Sequence, residues 1–278
     1  MTLTPQTWLV TGSSRGLGRA VAAAALAAGH RVAATARDPK SVADLAERYG
    51  EQVLPLALDV TDPARAQQAV AETESRLGPL DVVVNNAGYA NPAPVEQISL
   101  DDFRAQVEAA FFGTVYVTKA ALPGFVARGR GHFIQVTSIG GRLTAPGVSA
   151  YQAAKFAVEG FSGVLADEVA GLGVKVTLAE PGAMRTDWAG ASMDIPPVAP
   201  AYEPTVGAMA RHLRTVSGTE PIDPVKVARV FLEVARMDEP PRHLVLGRDA
   251  VDHMARAMRD LAGADRRWAG LGRSVDFS

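Results

Sequence analysis

The chain has 278 residues, 28 basic against 30 acidic side chains (formal net charge −2) and no cysteine. The length permits one or two domains, and the near-neutral balance argues against a nucleic-acid binder that relies on a general basic field. Without thiols there is no disulfide framework, thiol nucleophile, zinc–thiolate centre or iron–sulfur cluster. Residues 1–6 carry no positive side chain and no apolar stretch of signal-peptide length. The most apolar run, 21–28, is far short of the ~20 residues that cross a bilayer. The expectation is a soluble cytoplasmic protein with no membrane or nucleic-acid partner.

Short apolar runs at 7–11, 31–36, 53–58, 80–85, 132–137, 174–179 and 243–246 alternate with longer helix-like stretches, among them 18–28, 41–49, 63–77, 101–125 and 149–172. Several runs are near-continuous in Val, Leu and Ile, as in strands covered on both faces of a parallel sheet. Each parallel crossover needs a helix. The pattern predicts one α/β domain over 1–278, a doubly wound, seven-stranded parallel sheet with helices on both faces. Residues 187–224 break the rhythm with Pro196, Pro197, Pro200, Pro204, Pro221 and Pro224. Proline this dense excludes a long helix or inner strand. A connection of this length reads as a substrate lid, with a short helix near 205–214; an ordinary connection is the plainer reading.

The first run leads into Thr11-Gly12-Ser13-Ser14-Arg15-Gly16-Leu17-Gly18, a strand, a glycine turn and a helix start. Gly12 allows a sharp turn, Gly16 lets backbone approach a pyrophosphate, and Gly18 lets the helix pack closely on the sheet. The helix N-terminus offers unpaired N–H groups and a partial positive charge to phosphate. Gly12, Ser14, Arg15, Gly16, Leu17 and Gly18 are therefore cofactor-binding candidates; a glycine-rich turn without ligand is the alternative.

The glycine spacing T-G-x-x-x-G-x-G, Asp59-Val60, Asn85-Asn86-Ala87-Gly88, Ser138, Tyr151-x-x-x-Lys155 and Pro181-Gly182 followed by Thr186 come in the order of the short-chain dehydrogenase/reductase family. The chain resembles that family over essentially its whole length, in particular its NADP-preferring steroid- and retinol-dehydrogenase-like members. The resemblance implies that Asp59 and Val60 meet the adenine and that Asn86, Ala87 and Gly88 line the adenosine ribose side, although Asn-Ala-Gly is also ordinary turn chemistry. It further implies that Pro181, Gly182, Met184 and Thr186 hold the nicotinamide carboxamide.

NAD-selective sites place a carboxylate at the end of the second strand. Here Ala36 offers none, whereas Arg37 and Arg15 can hold a 2′-phosphate. The expected cofactor is NADP(H) in preference to NAD(H), with Asp38 next door as a contrary charge.

Tyr151 and Lys155 lie four apart, on one helical face. A nearby ammonium is expected to lower the phenol pKa and to bond the nicotinamide ribose, so both residues serve catalysis and cofactor binding. Ser138, thirteen residues before Tyr151, would end the fifth strand and hold the substrate oxygen. The resemblance implies alcohol/carbonyl interconversion with Tyr151 as proton donor or acceptor. Ser138, Leu143, Val148, Met184, Trp188 and Met193 form the expected substrate pocket, for an apolar alcohol, ketone or aldehyde.

Gly163 and Gly171 fall on the helix after the active-site face. No metal is expected, because no paired-histidine motif is present; the five histidines read as surface or strand-end residues. The family's asparagine three residues before Gly113 is here Ala110, which takes away a held water and predicts slowed catalysis. Two other functions remain: a protein that binds NADP(H) without turnover, and an elimination that leaves the cofactor unchanged. The family pairs the helices at 101–125 and 149–172 with symmetry mates. Adjacent Phe111 and Phe112 would point to different sides of their helix, so a homodimer or homotetramer is expected.

Overall fold

The computed structural model describes residues 4–190 and 193–277. Seven strands, β1 (Thr7–Val10), β2 (Arg31–Ala36), β3 (Val53–Ala57), β4 (Val82–Asn85), β5 (Gly131–Val136), β6 (Val174–Pro181) and β7 (His243–Leu246), form one parallel sheet in the order β3-β2-β1-β4-β5-β6-β7. The helices are α1 (Gly16–Ala27), α2 (Ala43–Tyr49), α3 (Pro63–Leu77), α4 (Leu100–Val107), α5 (Gly113–Arg128), α6 (Ser149–Glu168), α7 (Ala208–Val216), α8 (Pro224–Val234) and α9 (Arg248–Arg273). This is the doubly wound Rossmann arrangement.

Alternation along each strand divides the core. Trp8 and Val10 of β1 pack with Val21, Leu45 and Phe231 of α1, α2 and α8 on one face; Leu9 packs with Val70, Val117 and Leu165 of α3, α5 and α6 on the other. Both faces are apolar, which explains the near-continuous hydrophobic runs. The helical run Leu100–Arg128 is apolar and long enough to cross a membrane by composition, yet Val117, Ala121 and Phe125 are buried in the core of the sheet.

Several sequence expectations change in detail. The stretch 101–125 is not one uniform helix: a π turn over Glu108–Phe112 joins α4 to α5 and contains Ala110. Across it the Phe111 and Phe112 rings touch, with centroids 4.9 Å apart, instead of diverging. α6 stops at Glu168, because Gly171 and Gly173 take φ of +82° and +73°. Gly171 therefore belongs to a turn and not to the helix. The short helix expected near 205–214 is α7, preceded by a π turn over Glu203–Gly207. His30 and His132 are of the strand-end kind and both are buried: His30, just before β2, stacks on Trp8, and His132, near the start of β5, bonds Thr177 Oγ1 at 2.9 Å.

Candidate active site

The strand order reverses between β1 and β4, and the crevice of an open α/β sheet forms at such a switch point, beyond the carboxyl ends of the strands. A cleft of about 1000 Å³ lies here. Its floor is locked by side chains. Thr11 Oγ1 accepts from the N–H groups of Asn86 (2.9 Å) and Ala87 (3.0 Å), and Asn86 Nδ2 donates to Thr11 O at 2.9 Å. Asn86 thus ties the end of β4 to the glycine loop. Gly12 needs its φ of +69°, and a Cβ on Gly18 would lie 2.3 Å from Gly12 O. Gly18 does not line the cleft; it acts through this close packing. Gly12, Ser14, Arg15, Gly16 and Leu17 do line it, and α1 starts without a side-chain cap. That leaves first-turn amides for an anion.

Arg15 and Arg37 line the same cleft and are both exposed. The Asp38 carboxylate is engaged locally, accepting from Lys40 N at 3.0 Å and capping the turn Pro39–Val42. Asp59 accepts from Thr61 N and Oγ1 (3.0 and 2.8 Å) at the cleft edge beside Val60. Ala87, Gly88, Pro181, Gly182, Met184 and Thr186 complete this half of the lining.

Ser138, Tyr151 and Lys155 converge at the centre. Ser138 follows β5; its Oγ accepts from Gly140 N at 3.0 Å and lies 3.5 Å from Pro181 O. Tyr151 and Lys155 come from the first two turns of α6. Burial pushes the Tyr151 phenol above its ordinary pKa, and a hydrogen bond with Ser138 opposes the rise. This reverses the expectation of an ammonium-lowered phenol. Lys155 Nζ donates to Val136 O at 2.7 Å and lies 5.8 Å from the centre of the tyrosine ring. Burial also acts on Lys155, lowering it to about 8, with Glu159 opposing.

Leu143, Val148, Met184 and Trp188 line the cleft as expected, and the Trp188 ring lies 5.3 Å from that of Tyr151. Met193 does not line it. It is buried with Ala90 and Ala189 beneath Trp188, since an apolar residue near a pocket can support the wall instead of forming it.

Sequence reasoning missed two sets of groups. Gln152 braces the cleft loop, donating to Leu143 O (3.0 Å) and accepting from Ala145 N (2.9 Å). Behind the site, fully buried Glu180 bonds Arg142 (3.0 Å) and His243 Nδ1 (2.7 Å), while Glu159 bonds Thr137. Gln152 could be suspected from its place between Tyr151 and Lys155; the Glu180 partners are too distant in sequence to suggest themselves.

A family model described as short chain dehydrogenase matches residues 6–194. The chain belongs to the short-chain dehydrogenases. It is a dehydrogenase/reductase acting on CH–OH or C=O groups, and its fold is built for a nicotinamide cofactor. It is 52% identical over 265 residues to the oxidoreductase BOA17 of Botryotinia fuckeliana, covering 95% of this chain and 97% of that one. A short-chain dehydrogenase from Streptomyces avermitilis has TM-score 0.91 at 37% identity, over 99% of this chain and 100% of that chain. A serine dehydrogenase complexed with NADP+ has TM-score 0.76 at 27% identity, over 87% of this chain and 94% of that chain.

Proposed function

We propose that this short-chain dehydrogenase uses NADP(H) to interconvert an alcohol and a ketone or aldehyde, with Tyr151 as the proton donor in reduction and the acceptor in oxidation. The observation that carries the reading is the convergence of Ser138, Tyr151 and Lys155 at the carboxyl end of β5, inside the cleft floored by the glycine loop.

The residues present suit the dinucleotide. Glycine at 18 lets α1 pack directly under the loop, where a Cβ would lie 2.3 Å from Gly12 O, and α1 presents uncapped amides for the pyrophosphate. Arg15 and Arg37 supply charge for a 2′-phosphate where no carboxylate ends β2. The NADP+ bound to the related serine dehydrogenase agrees with this choice. When bound, the nicotinamide supplies the hydride.

The protein's own part is orientation and proton transfer. Ser138 holds the substrate oxygen beside the Tyr151 hydroxyl. A phenol kept neutral by burial carries the proton that a reduced carbonyl oxygen must receive. Lys155 places a positive charge beneath this pair and meets the ribose hydroxyls. Leu143, Val148, Met184 and Trp188 offer an apolar wall, suited to an apolar carbon skeleton, and 187–224 forms the lid. Half-exposed Phe112, Phe156 and Val164 on the outer faces of the π turn and α6 favour a homodimer or homotetramer formed through these helices.

The test is NADPH absorbance with a panel of ketones, aldehydes and alcohols, repeated with Tyr151→Phe. Turnover that vanishes in the variant while NADPH still binds supports the reading. Binding without turnover across the panel, or product formed with the cofactor unchanged, refutes it.

A further inference from the structure

α9 is 26 residues long, but among its described residues only Ala250 and Met254 are buried. One turn on, Met258 Sδ still reaches the Arg142 guanidinium at 3.5 Å. Farther along, Leu261, Trp268 and Leu271 are 56%, 64% and 68% exposed. These side chains are not scattered. Ala250, Met254, Ala257, Leu261, Ala264, Trp268, Leu271 and Val275 follow one another in alternating steps of four and three residues. That is the a/d repeat of a seam that takes another helix. The seam begins on the body of the protein and runs off it. Its uncovered part also contains Gly263, Gly270 and Gly272, all poor helix formers, so intrinsic propensity alone supports it weakly.

We propose that α9 of a second copy of this chain completes the seam, running antiparallel. Side-chain size and charge select this occupant. Centred between Ala262 and Gly263, the antiparallel pair sets Leu261 against the partner's Ala264 and Trp268 against the partner's Ala257. Within 257–268 every bulky side chain then meets a small one, in four layers related by the two-fold axis, and Leu271 falls beside the partner's Met254 at the end of the pair. The same register brings Asp260 beside the partner's Arg267 on the flank of the seam. A parallel pair does the opposite: it stacks Trp268 on the partner's Trp268, leaves gaps at Ala257 and Ala264, and sets Asp260 beside the partner's Asp265. Complementary flanking charges and knob-in-hole filling decide orientation in paired helices. The paired stretch, 257–268, is about 18 Å long at a rise of 1.5 Å per residue. It also brings the partner's last helical turn beside His253, which lines the cleft. This contact is separate from the faces of the π turn and α6 and does not depend on the reaction assigned to the site.

Sedimentation of the full chain over a concentration series tests the pairing. The double variant Leu261→Asp/Trp268→Asp should halve the mass of the assembly while keeping a cooperative thermal transition, which shows that the body still folds. Because the chain has no cysteine, orientation can be read directly. Chains carrying Ala257→Cys and Trp268→Cys should give a disulfide-linked dimer when mixed under oxidation, and none when oxidised separately, since only the antiparallel register brings these two positions within disulfide reach. An unchanged mass in the double variant overturns the proposal. So does the lack of a mixed disulfide, or self-linking of each variant, which marks a parallel pair. A mass that the aspartates leave unchanged, together with a wild-type chain that sediments with phosphatidylserine vesicles and a variant that does not, assigns the seam to lipid and likewise overturns it.

Discussion

Ala110 and Lys155 border the same small space: a Cβ built on Gly88 would lie 3.4 Å from Ala110 Cβ and 3.7 Å from Lys155 Nζ. Ala110 lies within the π turn Glu108–Phe112, and Thr114 Oγ1 donates to its carbonyl at 3.1 Å. A methyl group therefore borders the space beside Gly88 and the ammonium, where an amide could have donated and accepted hydrogen bonds.

Ala110→Asn is expected to raise kcat on a competent substrate about tenfold or more, equivalent to roughly 1.4 kcal/mol of barrier. The gain should stay within the ~10²–10⁴ that positioned proton transfer supplies. NADPH affinity should change little, since the glycine loop is untouched. Measuring kcat and NADPH affinity for both forms decides the matter; an unchanged kcat removes any limiting role for this position.

Cofactor choice turns on the end of β2. Arg37→Asp replaces a phosphate-binding charge with a ribose acceptor and should reverse a preference for NADP(H). Binding titrations with both dinucleotides check this, and equal affinity of the unmutated chain for the two sinks the charge argument.

Lys155 sets an alkaline limit. With its pKa lowered to about 8 by burial, the ammonium is present below that pH and lost above it. The kcat/KM profile, which reports groups of the free enzyme, should therefore fall with a midpoint near pH 8. A profile that stays flat beyond pH 10 contradicts this assignment.

His132 sets an acid limit on stability. Burial lowers its pKa from 6.5 to about 3, so below 6.5 the unfolded chain takes up a proton that the fold refuses. The stability present above pH 6.5 should drain away as pH falls toward about 3, by up to about 1.4 kcal/mol per unit. Urea unfolding across this range, compared with His132→Asn, isolates the contribution: the variant should show a shallower slope whatever its absolute stability.

Local chemistry was legible in the sequence, and long-range placement was not. The seven strands could be read because a sheet covered on both faces shows as unbroken Val, Leu and Ile, and Ser138, Tyr151 and Lys155 because their spacing carries the geometry. The four-residue step between Tyr151 and Lys155 says that they share a face, but not that Nζ turns to Val136 O, and burial then governs the phenol. Glu180 meets Arg142 and His243 across 38 and 63 residues, a distance no local pattern spans. Met193 has the apolarity of a pocket wall and lies one layer deeper.

The segment after β6 has a small apolar cluster of its own. Ala90, Ala189 and Met193 pack with Tyr151, Trp188, Ile195 and Leu213, apart from the two large clusters on the sheet faces. A unit held by so few buried groups opens at a small fraction of the global unfolding free energy. Backbone amides in 193–216 should therefore exchange with deuterated water far sooner than those of β4, β5 and β6. Trp188 belongs to the yielding side and Tyr151 to the fixed helix, so each opening draws an aromatic ring away from the phenol, and escape of a bound product can proceed at the pace of that local breathing while the sheet stays intact.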